Sequence, residues 1–183
     1  RIIMFPVNLP EGEVGGLEAT AFFEAAKPMI CFNADFCIVE VNANTGEFAI
    51  KRWVTSEDVG NVINQNIVDG QMHGAIVQGA GQIMGEHCNY DPETGQLLSG
   101  SFMDYAMPRA DQYPSFDTDL MEVPSPSNPL GVRAGGEGGT TPALASVTNA
   151  IVDALSEFGV KHIEMPATPE RVWRAIAGKY AGK

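Results

Sequence analysis

Between Asn66 and Cys88 the chain carries the apolar periodicity of one long helix, interrupted by five glycines at positions 70, 74, 79, 81 and 85. Each glycine weakens an isolated helix by about 1 kcal/mol relative to alanine, so a helix here has to be held by its surroundings. Projected at about 100° per residue, Gly70, Gly74, Gly81 and Gly85 share one face with Gln71, Gln78 and Gln82, while Met72, Ile76, Val77, Ala80, Ile83 and Met84 fill the other. The pattern specifies one side against a core and another of bare backbone edged by amides. Glycine admits the close approach of a partner, and glutamine offers donors and an acceptor together, which suits a flat heterocycle with mixed hydrogen-bonding edges, such as a pterin. Close packing of a second helix through the small residues is the competing explanation. His73 falls among the apolar residues and is expected to be a hydrogen-bonded core histidine, since no second ligand stands at metal-binding spacing.

The second constraint is the run Gly131-Val132-Arg133-Ala134-Gly135-Gly136-Glu137-Gly138-Gly139, one carboxylate set among five glycines. A helix follows directly, with Thr140 or Thr141 as its cap, Pro142 early, and Leu144, Val147, Ile151 and Leu155 recurring at spacings of three and four. Such a loop can lie against a ligand and must bring Glu137 with it. Enclosure by a cofactor and apolar walls disfavours the charged carboxylate, the condition a proton-abstracting group needs. The loop lacks the GxxxxGK[ST] pattern, and Glu137 would repel a phosphate, which argues against nucleotide binding. A tight loop with Glu137 solvated near the helix terminus is the plain structural alternative. Glu13, Glu57, Asp58 and Glu86 read as ordinary surface or turn charges.

Around these two features the elements are mixed. Residues 29–42 and the stretch FAIKRWVT flank the turn 42–46 as a hairpin, with the alternation slipping by one residue near Lys51 and Arg52, where a bulge is expected. A second hairpin is expected from Tyr90 through the turn 91–95 to Tyr105, then a long loop over 107–130 with a strand near 119–123. Gly159 ends the helix after the glycine loop, a strand follows at 162–164, and Thr168 caps a last helix over Pro169–Ile176. Without a βαβ rhythm the fold class is α+β, and 183 residues suit a single lobe over 1–183.

A net charge of -12 repels phosphate backbones and anionic lipids, so neither nucleic acid nor membrane is an expected partner. With no apolar run of about 18 residues the chain reads as soluble and cytoplasmic. Its start at Arg1 without a domain-opening signal suggests a fragment or split part of a larger subunit. Cys31, Cys37 and Cys88 form no CxxC pair and are expected to be reduced packing residues.

Four segments in order, VDGQMHGAIVQGAGQ, GQLLSGSFMDYAMPRA, PSPSNPLGVRAGGEGGT and TPERVWRAI, resemble the C-terminal part of the molybdopterin-binding large subunit of the xanthine dehydrogenase, aldehyde oxidase and aerobic carbon monoxide dehydrogenase family. The resemblance implies a molybdenum hydroxylase that uses water as oxygen source, active only with the rest of its subunit. It further implies that Glu137 is the base that deprotonates the molybdenum-bound hydroxide during attack on an electrophilic carbon. Gln71 matches the glutamine that hydrogen-bonds the molybdopterin, with Gln78, Gly79 and Gly136 as further cofactor-binding residues and no metal ligand from this chain. The cofactor implied is molybdenum-molybdopterin, with a cytosine dinucleotide form among the options. Implied too are [2Fe-2S] clusters and FAD on partner subunits, the remaining part of the molybdopterin subunit as a further partner, and assembly as a dimer of heteromers. Where relatives carry HGG and GVKG, this chain has His73-Gly74-Ala75 and Val132-Arg133-Ala134, changes that leave Gln71 and Glu137 in place. A non-catalytic assembly piece and a small-molecule binding module remain the alternative readings.

Overall fold

The computed structural model describes residue 11, residues 20–24 and residues 27–178. Glu13 lies outside them. Three strands form one sheet in the order β1-β2-β3, with β1 (Phe32–Val41) antiparallel to β2 (Phe48–Asp58) and β3 (Phe116–Leu120) parallel to β2. Three helices complete the α+β unit: α1 (Gln65–Met84), α2 (Thr140–Ala154) and α3 (Pro169–Ile176).

The β1–β2 hairpin forms because its turn chemistry and its alternation agree. Gly46 takes φ +75° at the end of the turn and donates its N–H to Asn42 O at 2.7 Å. The pairing skips Lys51 between Ile38–Arg52 and Val39–Ile50, the expected bulge. Beyond it Trp53, Thr55 and Glu57 alternate inward. A Cβ at Gly46 would overlap the Pro169 carbonyl, where α3 packs on the turn. Gly46→Ala is therefore expected to lower stability by about 1–3 kcal/mol, read as a fall in denaturation midpoint at unchanged m value.

The core joins Ile50 and Trp53 of β2, Ile76, Ala80 and Ile83 of α1, and Ala143, Val147 and Ile151 of α2, all at most 4% exposed. Asn64 caps α1 by accepting from Ile67 N at 3.2 Å, and Gly85 N closes the other end on Gly81 O. The helix therefore stops at Met84, short of Cys88. Thr168 caps α3 as expected.

Several expected elements differ. The second hairpin reduces to a single bridge between Tyr90 and Leu97, because Asp91 captures the N–H groups of Glu93 and Thr94 in a tight turn and residues 101–104 turn again. The strand near 119–123 lies three residues earlier, as β3. Residues 162–164 form no strand: Ile163 serves as a core residue in an irregular segment, and Ala167 N bonds Ile83 O at 2.6 Å. Neither threonine caps α2, whose preceding residue is Gly139 with no side-chain hydrogen bond.

All three cysteines are free. Burial pushes the Cys37 thiol up to about 12, which suits an inert packing residue, whereas Cys88 is exposed. No helix among the described residues is long and apolar enough to cross a membrane. The outward face of β1 leaves Phe32 and Phe36 64% and 63% exposed, an apolar face of the kind that association covers.

Candidate functional site

The inward face of the β1–β2 hairpin changes character along its length. Val39, Val41, Ile50 and Trp53 join the core at one end; Asn33, Asp35, Thr55 and Glu57 stand at the other. The glycine loop rests on this polar end. Arg133 clasps its entry: its N–H bonds Val59 O at 2.7 Å, and its guanidinium pairs with Asp58 at 3.2 Å, with side chains only 15% and 10% exposed. Asp58 Oδ1 also accepts from Gly60 N at 2.8 Å and Val123 N at 3.1 Å. Further along, Ala134 N bonds Met29 O and the Asn33 amide donates to Gly138 O.

The loop glycines serve close approach more than unusual backbone angles. Gly131 alone among them has positive φ, at +67°. Gly135 presses on Val59, Gly138 on the Glu57 carboxylate, and Gly139 on the α1 backbone at Met72 and Ile76. At Gly136 an added Cβ would meet nothing within 4 Å. The residue is exposed and its surroundings are open.

Two cavities flank Gly136. One, of about 330 Å³, is lined by Asn61, Ile63, Ile67, Gln71, Gly135 and Gly136; the other, of about 510 Å³, by Met29, Cys31, Asn33, Gly136, Glu137 and Pro142. Gln71 and Glu137 therefore lie on either side of one glycine. Gln78, exposed on α1, lines neither cavity; the Thr140 hydroxyl donates to Ala75 O at 3.1 Å and stands 3.5 Å from Gln78 Oε1. Glu137 is exposed within this chain.

The glycine and glutamine face of α1 divides. Gly70 and Gly74 look onto open space, and Gln71, Gln78 and Gln82 are exposed beside them. Gly81 and Gly85 are covered by Pro108 and Ala106. Gly79 is not on the open face: it is buried against α2, where a Cβ would overlap the Thr140 carbonyl, so its place is the helix–helix contact. The close helix packing expected of small residues thus occurs at Gly79, while Gly70 and Gly74 stay uncovered.

His73 differs from expectation, since its Nε2 is buried without a hydrogen-bond partner among the described residues and its ring leans on Phe116 at 5.1 Å. Glu57 and Asp58 are not surface charges. Their exposures are 1% and 7%. Glu86 accepts from the Tyr105 hydroxyl at 3.0 Å. Alternation past the bulge was the available signal for Glu57, because it continues the inward series Trp53, Thr55. Nothing in the sequence pattern pairs Arg133 with Asp58.

Gly70, Gly74 and Gly136 each leave open space where a Cβ would stand, and Gln71 lines the cavity beside Gly136, so the residues offer the room and the amide donors and acceptor that a flat, heteroatom-edged ring requires. Among the described residues, no three His, Cys, Asp or Glu side chains cluster as metal ligands.

A profile of the molybdopterin cofactor-binding domain matches residues 6–114. The chain is 41% identical over 169 residues to the nicotine 6-hydroxylase large subunit of Paenarthrobacter nicotinovorans, covering 92% of this chain and 21% of that one. It is 34% identical over 167 residues to the carbon monoxide dehydrogenase large chain of Hydrogenophaga pseudoflava, with 91% and 21% covered. Among solved structures, the Cu,Mo-CO dehydrogenase in its carbon monoxide reduced state superposes with a TM-score of 0.76 at 33% identity, over 82% of this chain and 19% of that one. Quinoline 2-oxidoreductase from Pseudomonas putida 86 gives 0.71 at 36% identity, over 77% and 18%. The chain spans about a fifth of the length of these relatives.

Proposed function

The chain belongs to the molybdopterin cofactor-binding domain family, within the large subunits of the xanthine dehydrogenase and carbon monoxide dehydrogenase class, and from that premise we propose that it supplies the base and part of the pterin cradle of a molybdenum hydroxylase. The observation that carries the proposal is the shared wall at Gly136, with the amide of Gln71 lining one cavity and the carboxylate of Glu137 the next.

Gln71 presents both a carbonyl and an amide N–H, the pair a pterin edge requires. Gln78 adds a second amide, with Thr140 3.5 Å from its carbonyl oxygen. Gly136 leaves the room in which a ring can lie against backbone. Glu137 takes the proton from the water-derived oxygen nucleophile and holds it on its carboxylate. When bound, the molybdenum cofactor supplies the two-electron oxidation of the substrate carbon. The walls around Glu137 include Met29, Ile30 and Pro142, so segments that close this cavity would leave the carboxylate an apolar enclosure.

The remaining part of the subunit has to complete the site, since about four fifths of each relative lies outside this chain. Iron–sulfur and FAD subunits are the electron acceptors we propose. Support for a multi-subunit assembly comes from relatives named as large chains and as subunit gamma of a complex.

Gly136→Val tests the cradle. Its added atoms enter open space, so stability is expected to stay within about 0.5 kcal/mol of the wild type. Molybdenum and pterin per subunit, measured on the purified complex, are expected to fall far below the wild type. Full cofactor occupancy in a folded Gly136→Val subunit would rule out this wall as a cofactor contact.

A further inference from the structure

Glu57 is the one buried carboxylate oxygen left without a hydrogen-bond partner among the described residues. It projects from the inward face of β2, 1% exposed, and its Oε1 accepts no hydrogen bond from the described residues. The glycine loop is built onto it: a Cβ at Gly138 would overlap the carboxylate, and one at Gly135 would stand 4.0 Å from Oε1. Asn33, opposite Glu57 in the ladder, donates to Gly138 O. Between the two buttressed glycines, Gly135 and Gly138, lie Gly136 and Glu137. We propose that Glu57 is a positioning residue for Glu137, a platform on which the 135–139 loop is seated and through which the loop backbone is kept in place. The inference rests on the reading of Glu137 as the base only for its effect on turnover; the seating of the loop stands by itself.

Burial in this position disfavours the charged form of the carboxyl. The titratable groups that act on it come from the β1 side, the Cys31 thiol, which donates to it, and the Asp35 carboxylate, which repels its charge. From α1 the loop meets Met72, Ala75 and Ile76, which carry no charge. The cation of the neighbourhood, Arg133, is paired with Asp58. Burial is the leading cause that pushes the Glu57 carboxyl above the ordinary glutamate range. The folded state therefore binds this proton more tightly than the unfolded chain, and loop seating weakens as pH rises through the raised value.

Hydrogen exchange on the complete subunit in its complex tests this, together with steady-state kinetics. In the wild type, protection of the 134–141 amides, corrected for intrinsic exchange, is expected to decline with rising pH. Glu57→Gln, neutral at every pH, is expected to keep that protection without the decline, and to hold kcat within about threefold of the wild type. Glu57→Ala is expected to speed exchange in 134–141 at least tenfold while residues 147–155 stay protected, and to lower kcat at least tenfold with KM little changed. Wild-type pH dependence in Glu57→Gln, or unchanged loop exchange in Glu57→Ala, overturns the proposal. Should Glu57→Ala fail to fold, the Glu57→Gln exchange profile decides alone. If Glu137 proves not to be the base, the kinetic readout is lost but the exchange readout still judges the seating.

Discussion

Glu137→Gln in the complete enzyme is expected to retain molybdenum and pterin at wild-type content while turnover falls by about 10²-fold or more. The size follows from what a positioned base contributes, typically 10²- to 10⁴-fold, and from the near-identity of the two side chains in volume. Glutamine keeps the reach of glutamate but cannot accept a proton at neutral pH. Among the described residues Glu137 makes no side-chain hydrogen bond or ion pair: it is exposed, and its backbone carbonyl accepts from Thr141 N at 3.4 Å. Loss of activity in this variant therefore reports on chemistry, not on collapse of the loop. Turnover within twofold of the wild type, with cofactor bound, would remove Glu137 as the base.

The second large effect concerns Asp58. Asp58→Ala is expected to destabilise the subunit by about 3–5 kcal/mol, because it leaves a buried guanidinium without its partner. The carboxylate also satisfies Gly60 N and Val123 N, so two backbone donors are orphaned in the same stroke. Arg133 then keeps the Val123 and Ile30 carbonyls, at 3.2 and 3.4 Å, and the face of the Phe32 ring, 5.3 Å from its guanidinium carbon. Since Arg133 opens the glycine loop, the defect is expected to reach the site as well as the fold. Asp58→Asn, which can still accept from the backbone through Oδ1, is expected to fall between the two. The unfolding midpoint of the assembled subunit checks both variants; a loss under about 1 kcal/mol in Asp58→Ala would show the pair to be dispensable.

Local turn chemistry and strict alternation determine the β1–β2 hairpin and its bulge at Lys51, so both are legible without tertiary information. The same holds for α3, where Thr168 and Pro169 mark the start. Helical projection locates the open strip correctly at Gly70, Gln71 and Gly74, but it treats all glycines on that side alike. Whether Gly81 faces a ligand or Pro108 depends on where the 105–108 segment folds back, a long-range fact that periodicity does not carry. Thr140 illustrates the same limit: its hydroxyl bonds Ala75 O on α1 instead of capping its own helix, because α1 and α2 cross closely at Gly79. Charge type misleads most. Glu57 and Asp58 look like strand-end surface charges, yet the glycine loop and Arg133 fold over them, and contacts separated by about 75 residues decide their burial.

The most direct trial of the account is an experimental structure of the assembled holoenzyme with its cofactor in place. The expected density puts the pterin along the open strip, with the Gln71 amide at its heteroatom edge, Gly136 against its face and the Glu137 carboxylate turned toward the reacting centre. A cofactor bound away from residues 71 and 136, or a Glu137 side chain that points to solvent in the completed subunit, would contradict it.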